Sequence, residues 1–179
     1  MRKLLADNSL PVTTYRGLTR LGVAIQSLVL LLLRLSWGFQ AAESGYGHLT
    51  HVQKTLDFFV QLGIPMPLAN VYISGTTELV GGILLMIGLG TRIISIPLIV
   101  NFIVAIASAS HADIAAAFKN KGLQAGWDQI VNDTAFPFLM LSLVMLAFGA
   151  GSISIDYLLG RKMFCKHDNT QRGLEVGRP

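Results

Sequence analysis

The chain has 179 residues, 52% of them apolar and only 13% charged, with a net charge of +4. A soluble domain carries about 25% charged residues, so this composition excludes an ordinary soluble enzyme and points to one integral membrane domain. The basic residues flank apolar runs, which fits orientation in a bilayer better than a nucleic-acid surface, and the one cysteine, Cys165, excludes an internal disulfide or a paired-thiol redox site.

Residues 1–20 are polar to mixed, with Arg2, Lys3, Arg16 and Arg20 ahead of the first apolar run. They resemble a signal-peptide n-region with Ala41-Ala42 as a cleavage site. A retained anchor is the preferred reading, because the run is longer than a usual signal core and contains Arg34. The first span is therefore expected over residues 21–39. Between it and residue 67, residues 48–62 read as an amphipathic helix, with Leu49, Val52, Leu56 and Phe59 at helical spacing. It is too short to span and is expected outside the bilayer. Gly63, Pro65 and Pro67 end it.

The second span is expected over residues 70–89 and carries Glu78 near its middle. Ser74, Gly75, Gly81 and Gly82 lie three or four residues from that acid, on one helix face. Together with Gly88, they mark a close helix–helix contact. Gly90-Thr91-Arg92 makes a short turn into the third span, residues 93–110, centred on Asn101. An amide at that depth calls for an interhelical hydrogen bond. Residues 111–131 read as a second long loop, opened by His111 and holding Trp127. The fourth span is expected over residues 134–148, with Pro137 in its first turn. Residues 160–179 read as a basic tail.

The domain reading is thus an N-terminal segment, 1–20, a four-span domain, 21–159, and a tail, 160–179. Ten lysines and arginines fall on the side of both ends and the Gly90 turn, against three on the other side. The positive-inside rule puts that side in the cytoplasm. Measured from the span midpoints at 1.5 Å per residue, Arg34 and Glu78 then lie about 7 and 3 Å outward of the bilayer centre. The arginine side chain covers the difference, so a salt bridge is geometrically reasonable. Three arrangements stay open: a bridge that locks packing, a polar site for a ligand head group or a proton, and an Arg34 that snorkels away from an unpaired Glu78.

Glu78-Leu79-Val80-Gly81-Gly82, continuing through Gly88-Leu89-Gly90-Thr91-Arg92, resembles the central signature of DoxX-type membrane proteins. Arg34-Leu35 with Gly38, Leu62-Gly63-Ile64-Pro65, His111, and the 149–156 stretch ending Ser154-Ile155-Asp156 fit that family in order. The chain departs from the pattern in lacking the usual Gly…Lys after the first span and in carrying Ala150 in place of a proline. The resemblance implies an all-α, four-helix membrane bundle in a bacterial inner membrane, with an external amphipathic helix between spans 1 and 2. It also implies kinship with the small subunit of thiosulfate:quinone oxidoreductases. On that footing the chain is expected to serve a quinone-linked oxidoreductase, with no cofactor of its own beyond a quinone. The bilayer, a redox partner protein and a second copy of the chain are the partners considered. Arg34, Glu78, Asn101 and His111 are the candidate ligand or proton residues. The alternative is a non-enzymatic scaffold or a carrier of a small solute or lipid. His48, His51 and His111 form no tight metal motif, and no metal is expected.

Overall fold

The first helix starts well before the apolar run and ends well after it. In the computed structural model, which describes residues 9–160, α1 runs from Ser9 to Thr50 without a break. At 1.5 Å per residue its 42 residues span about 63 Å, roughly twice the bilayer core. The part from Leu21 to Thr50 passes as a membrane span. The span expected to stop at residue 39 therefore continues as helix through Ala41, Ala42 and Gly45. These residues face not water but α3 (Pro67–Ile87), which lies antiparallel to α1. The rise in polarity after Phe39 marks one face of the helix, not its end.

The small residues set how closely the two helices approach. A Cβ on Gly82 would fall within 3.0 Å of the Gly38 carbonyl and the Ala42 amide nitrogen. One on Gly45 would fall equally close to the backbone of Gly75 and Leu79. Gly81 instead faces Leu98 of α4 (Thr91–Ala109), so the glycines of α3 serve two neighbours. The turn between α3 and α4 needs Gly88 and Gly90, both left-handed, with φ of 69° and 58°.

The amphipathic helix is shorter than expected. It is α2, Val52–Gln61, and it begins only after a break at His51. His48 therefore belongs to α1. Residues 111–131, expected as a loop, are helical as α5 (His111–Lys121) and α6 (Leu123–Val131), turned at Gly122. The last long helix, α7 (Phe136–Phe148), has 13 residues and measures only about 20 Å. It cannot cross a bilayer alone. With α6 it makes a broken pair bent by 78°. At the break the Asp133 carboxylate accepts the Ala135 N–H at 2.8 Å, an Asx turn just ahead of α7.

Among the described residues three helices are thus long and apolar enough to cross a membrane, or four if the bent pair is one span, and the chain is a multi-pass membrane protein. The core joins four of them through Leu30, Leu85, Leu98, Phe102, Leu141 and Met145. The tail at 161–179, with Cys165, and the first eight residues lie outside the described residues.

Candidate ligand site

Two polar clusters sit at different levels of the bundle, and each takes one member of the expected Arg34–Glu78 pair. No such bridge forms among the described residues. The antiparallel register explains why. Glu78 lies opposite Gly45, whereas Arg34 lies opposite Gly88. Arg34 and Gly45 are eleven residues apart on one helix, or about 16 Å. The midpoint estimate fails because α1 is eleven residues longer than its apolar run suggests at that end.

Arg34 is fully buried. Its Nη2 donates to the Ile153 carbonyl at 2.5 Å, its Nε reaches the Leu30 carbonyl at 3.4 Å, and its Nη1 has no hydrogen-bond partner among the described residues. Asp156 supplies the opposing charge. That carboxylate also accepts the Gly90 N–H at 2.7 Å and the Thr91 N–H at 3.0 Å, capping α4 where its first amides lack partners. The Asp156 N–H in turn donates to the Gly88 carbonyl at 2.9 Å. One short segment after α7 thereby ties α1 to the α3–α4 turn. The Ser-Ile-Asp signal for it stood in the sequence, but nothing there linked Asp156 to Arg34.

Glu78 belongs to the second cluster, and its side chain is only 6% exposed. Its Oε1 accepts Asn101 Nδ2 at 2.8 Å and Ser74 Oγ at 3.2 Å. The interhelical bond of Asn101 thus goes to Glu78. On the other side stands His48, with Nδ1 3.8 Å from Oε2. That nitrogen is buried and has no hydrogen-bond partner. Sequence reasoning missed His48, because a helix ending at residue 39 would have carried it outside. His111 opens α5, beyond the end of α4; its side chain is not among those described.

Glu78 sits on the wall of a cavity of about 680 Å³. Sites for small molecules typically enclose roughly 300–1,000 Å³. The lining is mostly apolar and includes four aromatic rings, Phe58, Phe59, Phe102 and Phe138. Phe102 and Phe138 stack at 5.3 Å, and Trp37 packs edge-on against Phe138. At another point of the wall, Asp133 receives the Ser110 hydroxyl. Among the described residues no lysine or arginine lines the cavity. A shallower groove of about 450 Å³ shares Ile64, Asn70, Val104 and Ser108 with it, between the α2–α3 turn and α4. Among the described residues no three His, Cys, Asp or Glu side chains gather around a metal position.

This arrangement makes a direct prediction. Asn101→Ala leaves the buried carboxylate with Ser74 as its only hydrogen-bond donor. The cost expected is about 1–2 kcal/mol, read as a lower midpoint of thermal unfolding in detergent. An unchanged midpoint would mean that Asn101 does not hold the acid.

Comparison with curated proteins and with solved structures gives no match. The DoxX family model matches residues 29–111. That segment carries Arg34, His48, Glu78 and Asn101, the α1–α3 contact and the turn into α4. Asp156, which completes the Arg34 cluster, and Asp133 of the cavity wall lie beyond it. The family match therefore identifies residues 29–111 as a DoxX-type segment.

Proposed function

We propose that this protein is the ligand-binding membrane subunit of a quinone-linked oxidoreductase system, and that the Glu78 cavity receives the head group of a quinone or quinol. The observation that carries the reading is a buried acid, held on one oxygen, at the wall of a cavity rich in aromatic rings. A flat ring fits among Phe58, Phe59, Phe102 and Phe138, and a polar ring substituent meets Glu78. The residues present therefore fit such a head group. When bound, a quinone supplies two-electron chemistry that the side chains of this chain do not have. The chain's own part is to orient the ring and to present an oxygen acceptor. The electron donor then sits on a partner protein.

In this reading the bent α6–α7 pair is the fourth span, and both ends and the Gly90 turn face the cytoplasm. The excess of basic residues on that side supports the topology. The Glu78 cavity then lies toward the outer leaflet. The adjoining groove offers a lateral way in from lipid. A carrier of a small lipid would use the same cavity without a redox partner. A solid scaffold is disfavoured by the cavity itself.

Purification of the tagged protein in mild detergent, with mass spectrometry of bound lipids and proteins, tests the proposal. Quinone is expected with the wild type at several times its level with Glu78→Ala, together with an oxidoreductase partner. A lipid other than quinone, retained with no redox protein, would move the assignment to a carrier.

A further inference from the structure

The cavity has an uneven supply of hydrogen-bonding groups. Several of its donors are already engaged within the protein, while Ser44, His48, Thr77 and Thr134 also line it and make no side-chain hydrogen bond among the described residues. Asn101 and Ser74 donate to Glu78, Ser110 to Asp133, Ser108 to the Val104 carbonyl, and Asn70 to the Pro65 carbonyl. Both donors to Glu78 converge on Oε1. Among the described residues no hydrogen bond reaches Oε2, since His48 Nδ1 at 3.8 Å is too far for one. At Glu78 the wall therefore offers a ligand an unpaired carboxylate oxygen, and among the described residues lining the cavity there is no lysine or arginine to neutralise it.

We infer that Glu78 Oε2 makes the cavity selective for a head group that donates a hydrogen bond, a ring hydroxyl, over the same ring bearing a carbonyl. Resting on the quinone reading above, this makes the reduced form, the quinol, the preferred ligand. A carbonyl oxygen placed against Oε2 sets two acceptors face to face, an arrangement that a buried site penalises. A hydroxyl donates to Oε2. The His48 ring needs a shift of only about 1 Å to come within hydrogen-bonding range of Oε2 or of a hydroxyl seated there. Polar discrimination of this kind is large, because the wrong partner leaves a buried group unpaired. The same wall works against anionic ligands, which would meet Glu78 and Asp133 with no countercharge.

The test is equilibrium binding to the full chain in nanodiscs, with empty nanodiscs as the partition control. The probes are a decyl-substituted benzoquinol kept reduced, the matching benzoquinone, and the dimethyl ether of the quinol, which keeps the ring but cannot donate. The quinol is expected to bind at least tenfold more tightly than either of the others. In Glu78→Gln the amide oxygen stays with Ser74 and Asn101, so an NH₂ donor replaces Oε2. The preference should then reverse toward the benzoquinone. Binding of wild-type protein to quinol and ether with equal affinity overturns the inference while leaving the quinone reading intact. So does a quinol preference that survives in Glu78→Gln. No saturable binding of any probe overturns both. The wild-type comparison of quinol with its ether decides the matter even if Glu78→Gln fails to fold.

Discussion

Gly45→Ala is expected to destabilise the protein by about 3 kcal/mol, at the upper end of ordinary overpacking. The methyl group would enter the backbone of α3 at Gly75 and Leu79, and no rotamer change can make room for it. The helices must separate, and with them goes the contact that holds α1 on α3. Two neighbours provide the controls. At Gly75 the added methyl meets the Leu49 side chain, which can move, and the His48 Cβ only at 3.2 Å, so Gly75→Ala is expected to cost about 1 kcal/mol. At Gly47 there is open space, and Gly47→Ala is expected to be neutral or to stabilise by up to about 1 kcal/mol through helix propensity. Unfolding midpoints of the three variants in one detergent should fall in that order. If Gly45→Ala and Gly47→Ala behaved alike, the close packing of α1 on α3 would be wrong.

The second large effect concerns Arg34. Arg34→Gln is expected to cost about 1.5–3 kcal/mol, because it removes the charged hydrogen bond to the Ile153 carbonyl and the cation that offsets Asp156. Asp156→Asn should also be costly, since it weakens the cap on α4 as well. The informative quantity is their coupling. The double variant should be less destabilised than the sum of the singles by about 1 kcal/mol or more. Arg34→Gln and Glu78→Gln, in contrast, should add to within about 0.5 kcal/mol, because the two sites share no partner. Coupling of Arg34 to Glu78 and not to Asp156 would reverse the assignment made from the structure.

The spans were legible where hydropathy and chain geometry agree. For α3 and α4 the expected limits, residues 70–89 and 93–110, lie within three residues of Pro67–Ile87 and Thr91–Ala109. Glycine and proline at Pro67, Gly88 and Gly90 carry those boundaries. The end of α1 was not legible, because hydropathy reports contact with lipid and not helicity. Gln40, Glu43 and Ser44 read as the start of a loop, while Ala41, Ala42 and Gly45 on the other face pack on α3. That one boundary displaced the depth of Arg34 and hid His48. Asn101 and Glu78 each announced a need for a partner, and Asn101 proved to be one of the partners of Glu78. The start of the fourth span near residue 134 lies within two residues of α7, but the helices of residues 111–131 were not legible, because their mixed polarity reads as a loop. Asp156 was legible as part of a motif, but its tie to a helix more than a hundred residues earlier was not.

The tie from α1 to the segment after α7 has a consequence for biosynthesis. The Ile153 carbonyl that receives Arg34 lies 119 positions further along the chain. At about 5–20 residues per second, a ribosome needs roughly 6–24 s to reach it. Throughout that interval the first helix holds a guanidinium in the bilayer without its native acceptor or countercharge. The nascent bundle is then at its most exposed to insertase error and to membrane proteases. A segment made late therefore decides whether the helix made first is kept.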